Sequence, residues 1–188
     1  MKQYPVNLKI EYSEKSNKLT ALFRLVLIIP IILTLALIAP AEAFSIAIAL
    51  MILFREKYPK WWFDWNVGIT KFIYRIAAYG LLMRDEYPST ETGQAVEVDI
   101  PYPDAKKDLN RWMPLVKWFL AIPHFIALVF MFIAVVFCTI FAWFAILFTG
   151  RYPRGIFDFV EGFLRWSLRV NAYAFLLTTD QYPPFKLG

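Results

Sequence analysis

The sequence contains one cysteine and one histidine among 188 residues. A lone Cys138 excludes a disulfide framework and the zinc patterns built on paired cysteines, and it reads as a buried thiol packed like a small apolar group. A lone His124 excludes bis-histidine haem ligation and a histidine-rich metal site within one chain, leaving a polar packing role. No glycine-rich phosphate loop, Gly-x-Ser-x-Gly elbow or zinc motif occurs. Charge is missing from two long stretches: Leu25 to Phe54 carries only Glu42, and Trp118 to Gly150 carries no Asp, Glu, Lys or Arg.

What is present is apolar. Hydrophobic residues make up 59% of the chain and the mean hydropathy is +0.49, high for a water-soluble protein. Each uncharged block exceeds the roughly 18 to 20 residues that mark a membrane-crossing helix, so the expectation is an all-α integral membrane protein. As straight helices the blocks would reach roughly 45 to 50 Å, against a hydrocarbon core near 30 Å. Each is therefore expected to fold back as a hairpin, over about 19–55 and 112–149, for about four membrane helices. In the first, Pro40 suits the first turn of a new helix and Glu42 its positive end. In the second, a reversal near Phe132 to Val136 is inferred from length alone. The stretch IAPAEAF, residues 38 to 44, imitates the end of a signal peptide, yet the first block is expected to belong to the mature protein.

All twenty Lys and Arg residues lie outside the two blocks. The positive-inside rule then puts the N-terminus, the centre and the C-terminus on the cytoplasmic side of a multi-pass cytoplasmic-membrane protein.

The chain also repeats itself. Phe54, Tyr58, Pro59, Phe63, Asp64, Gly68, Lys71, Arg75 and Tyr79 recur 94 positions later as Phe148, Tyr152, Pro153, Phe157, Asp158, Gly162, Arg165, Arg169 and Tyr173. Arg24 and Pro30 recur at an offset of 93, and Asp85-Glu86-Tyr87-Pro88 recurs as Asp180-Gln181-Tyr182-Pro183. The reading is two tandem repeats, 1–88 and 96–188, joined by a polar linker at 89–95. Each repeat has a short strand, a transmembrane hairpin, a Tyr-Pro elbow and an interfacial amphipathic helix, about 61–83 and 156–178. The strands YPVNLKIEY and AVEVDIPYP alternate with period two and could pair with each other.

In the final helix Asp158, Glu161, Arg165 and Arg169 recur at spacings of three and four, flanked by aromatics, as in a helix lying in the membrane interface. Candidate contacts to anionic lipid headgroups are Arg24, Lys71, Arg75, Lys117, Arg151, Arg154, Arg165 and Arg169. Arg24 and Lys117 are expected to snorkel at the ends of the spans. The elbow residues are Tyr58, Pro59 and Asp64, with Tyr152, Pro153 and Asp158: the tyrosines anchor in the headgroups, the prolines stop the span, and the aspartates cap the next helix or pair locally. The alternative for Asp64 and Asp158, a catalytic carboxylate pair, is the weaker reading. Basic residues alternating with aromatics suit a membrane surface better than nucleic acid.

RWMPLVKWFLAIPHFIAL and AWFAILFTGRYPRGIFDFVEGFLRWSLRVNAYAFLLTTDQYPPF, with fainter first-half counterparts, resemble an uncharacterised group of prokaryotic membrane proteins, the domain of unknown function numbered 4389, here in two copies. The resemblance implies a prokaryotic inner membrane and supplies no activity or catalytic residues. The functional expectation is a non-catalytic accessory or scaffold subunit of a larger membrane complex. The alternative is a lipid- or quinone-binding protein with its site between the repeats. No catalytic, metal or cofactor residues are expected; the expected partners are membrane lipids and other membrane subunits.

Overall fold

The computed structural model describes residues 4–38, 41–90 and 93–188, leaving aside the side chains of 38 and 41–44. The fold is mostly helical, with one small antiparallel strand pair. Strand β1 (Asn7–Ile10) pairs with β2 (Val96–Asp99), Leu8 standing opposite Val98 and Lys9 opposite Glu97. The alternation forecast from sequence is seen: Leu8, Ile10, Val96 and Val98 are buried, while Asn7, Lys9, Glu97 and Asp99 face out. Such a ribbon needs support. It is laid on two helices, β1 on α6 (Arg154–Ala174) and β2 on α4 (Lys60–Gly80). Each strand thus lies on the helix of the opposite half of the chain.

Helix α1 (Lys18–Leu27) opens at Asn17, whose side-chain oxygen accepts the N–H groups of Leu19 (3.0 Å) and Thr20 (3.4 Å). This is the standard way to satisfy the free donors of a first turn. It stops at Ile28, because Pro30 has no N–H for the carbonyl four residues back and its ring crowds that position. The chain continues as α2 (Ile29–Ile38) and α3 (Ala41–Arg55). Ala39, Pro40 and the Glu42 side chain, on which the expected start of a new helix turns, lie outside the described residues.

The second block behaves differently. Helix α5 (Met113–Thr149) is one unbroken element of 37 residues, so the hairpin expected over 112–149 is not formed. The reason is its packing. Pro114, Lys117, Ala121, His124, Val135, Ala142 and Ile146 are buried and share a single stripe with a mean period near 3.5, the signature of one face laid lengthwise on a partner. That partner is α6, running antiparallel: Trp118 Nε1 donates to Ala174 O (2.6 Å), Phe132 meets Phe163 midway, and Tyr152 closes edge-on against Phe157. The path α1–α3 also runs antiparallel to α5. Trp143 Nε1 donates to Ala21 O (3.1 Å) at one end, and Arg111 donates to Leu53 O (3.0 Å) at the other.

Three layers result: the ribbon, then α4 and α6, then the long α1–α3 path with α5. Helices α4 and α6 are each 21 residues and begin 94 positions apart, directly after Pro59 and Pro153. They stand where helices were expected over about 61–83 and 156–178, each carrying one strand of the ribbon. In α6 only Arg154, Gly155 and Asp158 are exposed, and its charged stripe meets β1. Glu161 accepts the Ile10 N–H (2.9 Å) and Arg165 donates to Leu8 O (2.9 Å). The open edge of β1 is thereby closed by side chains, which protects it from pairing with another chain.

The stretches Lys18–Leu37 and Met113–Thr149 are long and apolar enough to cross a membrane. Only 17% and 11% of their most apolar windows are buried, unlike the core helix of a soluble protein.

Candidate functional site

Two buried cations organise the helix ends. Lys117 is 1% exposed, and its ammonium bonds Asp180 (2.7 Å) and Thr179 O (2.8 Å). Arg24 is 2% exposed, pairs with Asp85, donates to Arg84 O (3.0 Å), and lies over the Tyr79 ring (3.9 Å). The expected snorkelling of Arg24 and Lys117 is therefore overturned. Carboxylates 61 and 63 positions further along the chain fold over them and hold them inside. Asp85 and Asp180 have a second duty, accepting the backbone N–H of Asn17 (2.7 Å) and of Asn110 (2.5 Å), the residues that open α1 and precede α5.

The elbow is present at both positions, with altered roles. Tyr58 and Tyr152 are 3% and 1% exposed, so neither anchors in headgroups. Burial holds both phenols above their ordinary pKa. Their backbone carbonyls instead receive hydroxyls from the opposite half: Tyr102 Oη to Tyr58 O (2.5 Å) and Tyr12 Oη to Tyr152 O (2.7 Å). Asp64 and Asp158 form exposed pairs with Lys60 (2.8 Å) and Arg154 (3.0 Å) one turn back and cap nothing. The local-pair branch of the sequence reading therefore describes them, and the cap branch does not. His124 is fully buried. Its ring stacks on Phe185 at 3.9 Å, and its Nδ1 accepts the Trp166 indole N–H (3.1 Å), a packing role as expected.

Among the headgroup candidates, Arg151 is exposed and Lys71 partly so. Arg75 is buried and donates to Ser89 O (2.7 Å), and Arg154 lies over the Tyr12 ring (4.5 Å). Arg165 and Arg169 are brought together. With Tyr4, Lys9, Gln181 and Lys186 they wall an open cavity of about 610 Å³ between β1, α6 and the C-terminal segment. Lys9 and Lys186 went unnoticed in the sequence because each is an isolated lysine, and only the docking of β1 and the C-terminal segment on α6 makes them neighbours. Among the described residues no group of three or more His, Cys, Asp or Glu side chains is placed to hold a metal.

Residues 111–186 match the model of one family, described as a domain of unknown function (DUF4389). The matched stretch takes in α5, α6 and most of the C-terminal segment, and it is one copy rather than the two expected. No curated protein and no solved structure matches the chain.

Proposed function

We propose that the protein is a non-catalytic membrane protein that serves as an accessory or scaffold subunit, built from two copies of one unit about a pseudo-two-fold axis through the Leu8–Val98 pair. Supporting the duplication are paired contacts from opposite halves: Tyr12 with Tyr102, Lys117–Asp180 with Arg24–Asp85, and Lys18 to Phe148 O (3.1 Å) with Arg111 to Leu53 O (3.0 Å). The observation that carries the membrane placement is the outer face of α5. From Trp112 and Leu115 through Phe119, Phe130, Phe137 and Phe141 to Phe148 it is a bare apolar strip without a charge, while the opposite face is buried on the protein.

A helix of 37 residues is roughly 55 Å long, and fitting it across a 30 Å core needs a tilt well beyond the ~0–40° that spanning helices adopt. It would also drag α6, with Glu161, Arg165 and Arg169, into hydrocarbon. In the proposed arrangement α5 and the α1–α3 path lie along the cytoplasmic leaflet, apolar face down, and the ribbon with α4 and α6 stands above in water. The termini and centre then share the cytoplasmic side without any hairpin. The layer above the membrane, edged by exposed Trp61 (71%) and Trp65 (49%), is the surface offered to partner subunits.

Spin labels at Leu115→Cys, Phe130→Cys and Phe148→Cys on a Cys138→Ser background, in nanodiscs, test the placement. Equal immersion depths are expected; depths differing by more than about 10 Å across the three sites reject it, since a crossing helix changes depth by about 1.5 Å per residue. Gentle-detergent purification that returned only a monodisperse monomer with no co-purifying subunit would reject the scaffold role.

A further inference from the structure

We propose that the cavity walled by Lys9, Arg165, Arg169 and Lys186 is a binding site for a phosphate-bearing anion, either a lipid headgroup or a free phosphate ester. Four cations and no carboxylate side chain line it; beside the lining, Glu161 is already engaged by Arg165 (3.0 Å) and the Ile10 N–H, and Glu97 stands opposite Lys9 on the neighbouring strand. Arg165 is positioned by Leu8 O and Leu187 O (3.3 Å), and Arg169 by Gly188 O (3.2 Å), so both guanidinium groups are held before any ligand arrives. Arg169 is only 8% exposed, yet its Nε has no hydrogen-bond partner. A buried donor of that kind costs free energy until an acceptor reaches it.

Burial, together with the like charge of Arg165, also depresses the Arg169 pKa, a tension that a bound anion relieves. Planar guanidinium groups beside flexible ammonium groups are the usual chemistry of phosphate recognition. Tyr4 stands at the wall with its hydroxyl on Gln181 O (3.2 Å); its phenol is neutral near pH 7 in any case, and burial raises its pKa further. It therefore adds no opposing charge.

The opposite half shows why the site is single. Along the pseudo-two-fold, Arg165 and Arg169 correspond to Lys71 and Arg75, but β2 carries Glu97 and Asp99 where β1 carries Asn7 and Lys9. There the carboxylates would themselves form the wall, whereas in the proposed cavity they sit one strand away outside the lining, so one ligand per chain is expected. The inference stands apart from the scaffold role, since it needs only the ribbon, α6 and the C-terminal segment.

The test uses the full chain in detergent. Titration calorimetry with inorganic pyrophosphate reports the free-anion arm; native mass spectrometry after incubation with phosphatidylglycerol or phosphatidylcholine reports the lipid arm. A single site for pyrophosphate or for phosphatidylglycerol, in preference to phosphatidylcholine, is expected, weakened by salt. Lys9→Gln and Lys186→Gln, both at solvent-exposed positions that leave the core intact, should each weaken it by about fivefold to tenfold, and Arg169→Gln more. Pyrophosphate binding without lipid retention assigns a free phosphate ester, and lipid retention without pyrophosphate binding assigns a headgroup. Absence of both, or binding that Lys9→Gln and Lys186→Gln leave unchanged, overturns the site. Co-purification of partner subunits should be unaffected by these variants, which separates this result from the scaffold test.

Discussion

The two halves of the chain have corresponding prolines in their first helical stretch, and the outcomes differ. Pro30 breaks the first arm between α1 and α2, whereas Pro123 sits inside an unbroken α5. The surroundings account for the difference. Ala121 and His124 on either side of Pro123 are fully buried against α6 and the C-terminal segment, so packing holds the helix through the missing hydrogen bond. Around Pro30, Ile29 and Ile32 are exposed and Ile31 alone is buried, so the packing is thinner and the two helices are joined there by the Ile32 N–H to Ile28 O bond (3.1 Å). A proline therefore sets a local cost, and the neighbours decide whether the helix tolerates it.

The halves also differ in how their buried cations are partnered, and that difference predicts the largest effect. Asp180→Ala strands Lys117, a compact ammonium left with the Thr179 carbonyl and a Tyr173 ring at 5.2 Å, against 3.9 Å for the ring under Arg24, and should cost about 3–5 kcal/mol in detergent unfolding. Asp85→Ala leaves Arg24 with the Arg84 carbonyl and the Tyr79 ring and should cost less, about 2 kcal/mol. Equal losses would break the comparison.

A second contrast separates the equivalent glycines of α6 and α4. A Cβ at Gly162 would lie 2.8 Å from both Leu187 Cβ and Leu187 O, whereas at Gly68 it meets nothing. Gly162→Ala should displace the C-terminal segment at a cost of about 1–3 kcal/mol, read as faster proteolysis after residue 178. Gly68→Ala should stabilise by up to ~1 kcal/mol through helix propensity.

The smallest effect belongs to the ends of the long arms. Gly150 closes α5 with φ of 70°, and at the matching place after α3 Glu56 adopts φ of 49°. Gly150→Ala should lose about 1 kcal/mol and Glu56→Gly should gain about 0.5 kcal/mol, less the weak exposed pair of Glu56 with Arg111 (3.3 Å). Thermal unfolding of both variants side by side would sharpen or remove the asymmetry.

Much of the frame could be read from residues alone, because it rests on local chemistry. The offset of 94 anticipated a helix after each Tyr-Pro pair, each slightly shorter at 21 residues than the 61–83 and 156–178 expected, while alternation located both strands and charge-free length both long arms. Those features depend on backbone geometry and periodicity, which a few neighbouring residues settle. The hairpin in α5 was misread because a length exceeding the bilayer suggested reversal. A stripe of Ala121, His124, Val135 and Ala142 opposite bulkier aromatics was already present as the sign of a single packed face.

Other features were decided only by tertiary structure, since they join residues far apart in the chain. Asp85 and Asp180 turn two apparent snorkels into buried ion pairs, and the ribbon turns an apparently interfacial basic helix inward. Lys9 comes within one cavity of Arg165 only because β1 crosses to the opposite half. The sequence by itself determined most of which segments are helix, strand and elbow, because these follow from short-range sterics and hydrophobic period. Which charges are buried, which face stays bare, and where cations converge followed from docking, because burial and charge pairing depend on what the folded chain brings close.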